Sequence, residues 1–138
     1  MTARGWSPPV VGDILWCQFP ELPEVDPGPK PRPALVVQVT VKEDGAVVAV
    51  VYGTSQRLDR LLSGEFAIRK AQNPAAFTLA GLSFDTKFNF RQIVELPWTA
   101  AFFKVPPKAS HGQSPKLGTL HPSMMQTARA AYLAVTGG

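Results

Sequence analysis

The chain contains few of the side chains that build disulfides, metal sites or proton-transfer pairs, with one cysteine and two histidines among 138 residues. A single cysteine excludes an internal disulfide framework. Cys17 lies close to Trp16 and Phe19, and this aromatic context favours a packed thiol over a nucleophile. The two histidines, His111 and His121, offer no metal-ligand spacing together with the widely placed acids. We therefore expect neither a metal nor a cofactor.

Long apolar runs and acidic residues are also scarce. No run approaches the roughly 18 residues that a membrane-spanning helix needs, and the start of the chain has no signal-peptide pattern. We therefore expect a cytoplasmic protein without a membrane partner. The 14 basic residues outnumber the 10 acidic ones, for a net charge of +4 and a pI near 9.5. This basic excess is compatible with an anionic partner such as nucleic acid.

Proline and glycine, by contrast, are abundant, at fourteen and eleven residues. Such a composition predicts many turns and short elements, which favours strands over a helix bundle. The chain is 45% hydrophobic and 17% charged, a balance that argues against wholesale disorder. We interpret residues 1–138 as a single, mainly β domain with minor α structure and a loose lead-in over residues 1–10.

Apolar patterning and turn residues predict the order of elements. Residues 20–31 hold five prolines and three acids, which predicts a long loop of a kind that is usually functional or mobile. Residues 70–80 fit either a helical turn or a loop. After Pro122, apolar residues recur at helical spacing as far as Val135, which predicts one closing amphipathic helix. The predicted strands are 12–19, 33–41, 46–52, 64–69, 81–87 (running into a polar turn), 91–96 and 116–120.

A hairpin forms the predicted centre of the fold. Asp44-Gly45 supplies the positive φ that a tight turn needs. The nearly continuous apolar run at 33–41 predicts a strand buried on both faces. An antiparallel hairpin brings the end of its second strand beside the start of its first. We therefore expect Thr54 to lie within a residue or two of Arg32 or Pro33.

The segment before this hairpin alternates prolines with Lys30 and Arg32. Each proline fixes its own φ and biases the preceding residue toward extended geometry, so the two cations lie on a stiff segment. A guanidinium offers five donors in a rigid fork that suits phosphate. With Thr54, Ser55 and Gln56 beside it, Arg32 predicts an anion-binding pocket. The alternative is a solvated cationic loop that leads into a strand.

Six short motifs follow one another along the chain. They are Gly12-Asp13-Ile14-Leu15-Trp16 through Phe19, Arg32-Pro33-Ala34-Leu35-Val36-Val37, Gly53-Thr54-Ser55-Gln56, Gly64-Glu65-Phe66, Gly81-Leu82-Ser83-Phe84-Asp85 and Lys116-Leu117-Gly118-Thr119-Leu120. Each motif alone is weak, but their order and spacing resemble those of the MazF/PemK/Kid toxin family over roughly residues 11–135.

This resemblance implies an SH3-like barrel with a C-terminal helix, a homodimer, and a metal-independent endoribonuclease that cleaves single-stranded RNA. It also implies a small cognate antitoxin that blocks the RNA groove. The family's Arg-Pro-Ala arginine falls on Arg32, and its Thr-Ser threonine falls on Thr54. Asp85 matches a family aspartate, but Ser83 stands where some members have an arginine two residues earlier.

Cleavage of RNA through its own 2′-OH needs a base, an acid and charge stabilisation at phosphorus. Histidine would suit the proton transfers, but both histidines are remote in sequence from the pocket. We expect Arg32 to stabilise the phosphorane, Thr54 to hydrogen-bond the phosphate or the attacking oxygen, and Asp85 to transfer a proton. For Asp85, an aspartate that caps its own turn is an equal alternative.

Further residues are expected to contact RNA, and Lys87 could supply the charge that is absent at Ser83. Base recognition in single strands needs stacking surfaces, although most aromatic residues in a domain of this size belong to the core. The expected RNA contacts are Lys30, Ser55, Gln56 and Lys87, and the aromatic candidates are Trp16, Phe84, Phe88 and Phe90.

Two interpretations from other classes stay open. One is a catalytically silent nucleic-acid-binding or regulatory barrel, favoured by the altered segment at 83–87. The other is a toxin of the same fold that acts by binding a protein such as a topoisomerase. The second would not need Arg32 and Thr54 together beside a groove, so their predicted proximity counts against it.

Overall fold

The computed structural model describes residues 6–19, 30–109 and 111–137. Most of the predicted loop at 20–31 lies outside the described residues, as do residues 1–5 of the predicted lead-in. The elements are β1 (Asp13–Cys17), β2 (Arg32–Lys42), β3 (Gly45–Thr54), β4 (Glu65–Ile68), α1 (Pro74–Leu79), β5 (Thr86–Pro97), β6 (Lys116–Thr119) and α2 (Met125–Thr136), with a 3-10 turn at Pro122–Met124 before α2.

The strands form one antiparallel sheet in the order β4-β5-β3-β2-β1-β6, curled into a half-barrel. The predicted β2–β3 hairpin is confirmed. Lys42 pairs with Gly45, so Glu43 and Asp44 form the loop, and the positive φ of 137° falls on Gly45. Register irregularities in three of the strand pairs bend the sheet.

Apolar side chains pack on both faces of this sheet. Val50 and Val51 are neighbours in β3 but belong to different clusters, because successive strand residues point to opposite faces. The first cluster packs Phe66 and Phe88 against α2, which contributes Ala128 to it. The predicted closing helix is therefore confirmed, with a 3-10 turn at its start.

The second cluster contains Cys17, whose side chain is fully buried beside Phe103 and Val48. Burial raises the pKa of the Cys17 thiol far above its ordinary value, because a thiolate would lose its hydration there. The predicted packed thiol is confirmed. Trp6, in the lead-in, packs edge-on against Trp98 with ring centroids 5.6 Å apart.

The prediction of separate strands at 81–87 and 91–96 is wrong. Residues 86–97 form the single strand β5, and residues 81–85 precede it without strand pairing. The start of β5 pairs with β4 on one side and with the end of β3 on the other, and its second half pairs with β3. This long-range pairing carries the strand through the polar segment at 89–92, where local residue preferences favour a break.

Two smaller expectations are also resolved. Burial on both faces holds for the start of β2, but the second half alternates and Val41 is 71% exposed. The undecided segment 70–80 contains the helix α1. The other predicted strands are found within two residues of their expected ends. In the described part of the chain, no helix is long and apolar enough to cross a membrane.

Candidate functional site

A row of polar side chains crosses three neighbouring strands. Thr54, the last residue of β3, pairs directly with Lys87 of β5. On its other side, β2 and β3 pair Ala34 with Tyr52, and the same register continued by two residues places Arg32 opposite Thr54. Directly opposed residues project from the same face of a sheet. The prediction that Thr54 lies within a residue or two of Arg32 or Pro33 is confirmed, since a Cβ on the preceding Gly53 would lie 2.7 Å from the Pro33 carbonyl oxygen.

Gly53 permits the close packing of strands behind this row. A Cβ added there would lie 2.7 Å from the Pro33 carbonyl oxygen and 2.8 Å from Cε1 of Phe88. Neither contact is sterically possible without a shift of the backbone or the ring. The backbone on either side of Thr54 is thus held against β2 and β5, which fixes the position from which the threonine side chain projects.

An aromatic ring orients the Arg32 guanidinium. Its Cζ lies 5.7 Å from the centroid of the Tyr52 ring, within the range of a cation–π contact. The Tyr52 ring in turn packs edge-on against Phe19, with centroids 4.9 Å apart. Arg32 is half-buried and makes no ion pair with a carboxylate of the described residues. Within the described ranges, no carboxylate competes with an anionic ligand for this guanidinium.

The Thr54 hydroxyl is held by the turn that follows it. Its oxygen accepts a hydrogen bond of 3.1 Å from the backbone N–H of Gln56. A hydroxyl has one proton to donate and two acceptor lone pairs, so the proton of Thr54 stays available to a ligand oxygen. Ser55 and Gln56 are exposed beside it, and Lys30 is exposed just before β2.

Lys87 is committed to partners inside the protein. Its Nζ lies 3.1 Å from Oε1 of Glu65, and the two side chains are 7% and 6% exposed. The same ammonium donates to the backbone carbonyl of Arg60 at 3.2 Å. Lys87 was expected to supply the positive charge that is absent at Ser83. In the structure, Glu65 neutralises the charge of Lys87. A direct contact with RNA would require this ammonium to leave Glu65.

Asp85 lies just before β5, two residues from Lys87 on the same strand face. Its Oδ1 accepts the backbone N–H of Lys70 at 2.8 Å. The carboxylate therefore ties β5 to the end of β4 and does not cap its own turn through that bond. A carboxylate has several lone-pair positions, so Asp85 keeps acceptor capacity and is partly exposed.

Three cations hold the loop at 55–64, which follows Thr54. Nη2 of Arg69 donates to the Leu58 carbonyl at 2.8 Å, and Nε of Arg91 donates to the Ser63 carbonyl at 2.9 Å. Lys87 is the third, through Arg60. The backbone N–H of Leu62 donates to Glu65 Oε1 at 2.8 Å. Polar contacts thus set the position of this loop beside the Thr54 row.

The aromatic candidates separate clearly by exposure. Phe88 and Phe90 are buried in the first cluster, where their rings stack with Phe66. Trp16 is half-buried. Phe84 is 71% exposed and lies next to Asp85 in the chain. Of the four, Phe84 has the ring face most open to a base.

The histidines do not join the row. His121 lies at the start of the 3-10 turn, where its Nδ1 accepts the N–H of Ser123 at 3.0 Å. His111 lies in the segment before β6. Within residues 6–19, 30–109 and 111–137, no three histidine, cysteine or acidic side chains cluster in a way that could hold a metal ion.

Sequence reasoning missed three residues around this row, which are Tyr52, Glu65 and Arg69. Tyr52 precedes Thr54 by two residues and so shares its strand face, a signal that alternation alone could have supplied. Glu65 and Arg69 lie on β4 or directly after it. Their proximity depends on the β4–β5 register, in which Ala67 pairs with Lys87 and Ile68 with Thr86, and no local pattern encodes that register.

Comparisons with known proteins agree with this architecture. One solved structure, described as an endoribonuclease in complex with its cognate antitoxin from Mycobacterial species, superposes with a TM-score of 0.57. The two chains are 19% identical, and the match covers 94% of this chain and 96% of that one. At such identity the likeness shows a shared fold. No curated protein sequence matches the chain.

A family model supplies the sequence-level match. It describes the PemK-like, MazF-like toxin of type II toxin–antitoxin systems and matches residues 11–133. That range contains all six strands and most of α2, so the match covers the sheet and the polar row that crosses it. The chain therefore belongs to the PemK-like, MazF-like toxin family of type II toxin–antitoxin systems.

Proposed function

We propose that this protein is a toxin endoribonuclease that cleaves single-stranded RNA without a metal and that a cognate antitoxin neutralises. The family match supports the toxin assignment. The observation that carries the activity is the β2–β3 register, which places Arg32 opposite Thr54 when it is extended by two residues beyond the Ala34–Tyr52 pair. A guanidinium and a hydroxyl at this separation, about 5 Å between Cα atoms, can bind one phosphate together.

The reaction follows from the chemistry of the groups in this row. The 2′-OH attacks phosphorus and loses its proton, a phosphorane forms, and the bond to the 5′-oxygen breaks as that oxygen gains a proton from solvent water, to which Asp85 later returns the 2′-OH proton. Arg32 stabilises the charge that develops on the phosphoryl oxygens. Thr54 donates its hydroxyl proton in a hydrogen bond to one of them. Asp85 accepts the 2′-OH proton, and the products are a 2′,3′-cyclic phosphate and a 5′-OH.

The RNA surface extends outward from this row. Lys30 and the exposed Ser55 and Gln56 contact phosphates or sugars, which position the strand without reading its sequence. Phe84 stacks on a base. Lys87 contributes by holding the Arg60 carbonyl, and it reaches RNA directly if the bound strand displaces it from Glu65.

The partners follow from the same proposal. The protein is a homodimer in the cytoplasm, and its antitoxin occupies the face that binds RNA. The complex described for the structural neighbour supports an antitoxin partner of this kind. Size-exclusion chromatography with light scattering checks the dimer. Where a small gene lies next to the gene of this protein, competition between RNA and the product of that small gene checks the antitoxin.

The test of the activity is incubation of the purified protein with mixed-sequence single-stranded RNA in EDTA. Wild type is expected to cut at defined sites and to leave 2′,3′-cyclic phosphate ends. Arg32→Ala is expected to leave the RNA intact. Arg129→Ala serves as the matched control because Arg129 is an exposed arginine on α2, and it should cut like wild type. Equal turnover by Arg32→Ala would overturn the proposal, and RNA binding without cutting by wild type would favour the silent module.

A further inference from the structure

A second arginine lies near the Thr54 row, on the strand beyond Lys87. Ile68, the last residue of β4, pairs with Thr86, so the next residue, Arg69, lies opposite Asp85. The hydrogen bond from the neighbouring N–H of Lys70 to Asp85 Oδ1 confirms this juxtaposition. Arg69, directly after β4, and Asp85, directly before β5, therefore occupy the same end of the site.

Alternation along β4 sets the direction of the Arg69 side chain. Phe66 and Ile68 are buried in the first cluster, so Glu65 and Arg69 project from the opposite face. This is the face that carries Lys87 and Thr54. The bond from Arg69 Nη2 to the Leu58 carbonyl agrees with that direction, because Leu58 belongs to the loop that leaves Thr54.

Among the described residues, no carboxylate neutralises the charge of Arg69. Lys87 is paired with Glu65, whereas Arg69 makes no ion pair with a carboxylate among the described residues. Its bond to the Leu58 carbonyl uses one of five guanidinium donors. Its backbone is held as well, since its N–H donates to Asn73 Oδ1 at 3.1 Å. Arg69 is thus an oriented, half-buried cation whose guanidinium N–H groups can donate further hydrogen bonds.

We propose that Arg69 is a second phosphate-binding arginine of this site, acting from the opposite side of the Thr54 row to Arg32. The inference rests on the proposed ribonuclease function and adds a residue to it. A phosphoryl group between two guanidinium groups receives charge stabilisation from both sides. Ser83 is exposed and uncharged, so the cation at the Asp85 end of the site comes from the residue directly after β4 instead of the segment before β5.

Arg91 offers a matched control. It is also an arginine that donates one hydrogen bond to a carbonyl of the same loop, but it lies beyond Asn89, at the other end of the β4–β5 pairing from Asp85. A purely structural role in holding the loop would be shared by Arg69 and Arg91. Of these two arginines, only Arg69 is expected to bind phosphate.

The experiment compares Arg69→Gln with Arg91→Gln in two assays. The first is cleavage of single-stranded RNA, where Arg69→Gln is expected to lower kcat by about 10²-fold and Arg91→Gln to change it little. The second is binding of a labelled 2′-O-methyl RNA strand, which cannot be cleaved, over a range of salt concentrations. Loss of one phosphate contact is expected to reduce the salt slope by about 0.7 for Arg69→Gln only.

Arg69→Lys guards against a folding artefact, since it keeps the charge and can still donate to Leu58. Arg69→Lys is expected to retain the salt slope of wild type. It is also expected to lose most of the increase in kcat that Arg69 provides over Arg69→Gln. Equal effects of Arg69→Gln and Arg91→Gln, or an unchanged salt slope for Arg69→Gln, would show that Arg69 only holds the loop at 55–64 and does not bind phosphate. If Arg32→Ala abolishes cleavage while Arg69→Gln cuts normally, this inference fails and the proposed function stands. If wild type does not cut, the proposed function itself fails.

Discussion

Lys87 and Glu65 form an ion pair of 3.1 Å in which each side chain is less than a tenth exposed. Thr54 lies directly opposite Lys87 on the neighbouring strand. Two charges are therefore buried beside the candidate site and satisfy each other. Two loop groups complete the arrangement, because Lys87 donates to the Arg60 carbonyl and Glu65 accepts the Leu62 N–H.

Removal of either partner alone is expected to be costly. Lys87→Met or Glu65→Leu leaves an uncompensated buried charge, which typically lowers the free energy of unfolding by about 3–5 kcal/mol. The double variant should lose clearly less than the sum of the two. Urea unfolding of the four proteins measures this coupling. Lys42→Met is the control, since Lys42 is exposed at the end of β2 and forms no ion pair with a described carboxylate, and its loss should change the free energy of unfolding by less than about 0.5 kcal/mol. Additive single effects would contradict a coupled pair.

Phe84 is expected to act in binding and not in folding. Its ring is 71% exposed next to Asp85, and a base stacked on an aromatic ring contributes about 1–3 kcal/mol. Phe84→Ala should therefore weaken RNA binding by roughly 5- to 150-fold, while Phe84→Trp should retain it. Leu79→Ala, which truncates an exposed apolar side chain of α1, should leave binding unchanged. Equal affinity of wild type and Phe84→Ala would rule out stacking at this residue.

Gly53 is expected to tolerate no side chain. The Pro33 carbonyl lies 2.7 Å from the position of an added Cβ, so Gly53→Ala should lower the free energy of unfolding by about 1–3 kcal/mol through overpacking. Cleavage should fall as well, because Thr54 follows directly. Thr40→Ala, at an exposed site of β2, should change stability by less than about 0.5 kcal/mol. A Gly53→Ala protein as stable as wild type would show that β2 and β3 can separate freely here.

Cys17 gives the protein a dependence of stability on alkaline pH. Its thiol stays protonated in the folded protein, where burial raises the pKa, and ionises near pH 9.0 once unfolded. The unfolded state therefore binds fewer protons above this value, and stability is lost as pH rises. One unit above it, the loss should be about 1.4 kcal/mol. Urea unfolding of wild type and Cys17→Ala at neutral and alkaline pH measures this, and an identical pH dependence of the two would contradict it.

Local patterns predicted much of this fold for identifiable reasons. The Asp44-Gly45 turn placed the central hairpin, since its backbone needs are local. Helical spacing from Met124 to Ala131 predicted the buried face of α2. The break predicted inside β5 was wrong because that strand is continued by partners on both sides, and the strand β3 that completes its pairing lies far away in sequence.

The sequence by itself determined the hairpin and, through it, the meeting of Arg32 with Thr54. That pairing follows from counting along one tight turn. Only the tertiary structure decided the rest of the site, because β5 lies between β3 and β4 in the sheet, and the registers between strands that are not joined by a tight turn are set by packing of the whole core. Those registers give Lys87 its partner Glu65 and bring Arg69 opposite Asp85.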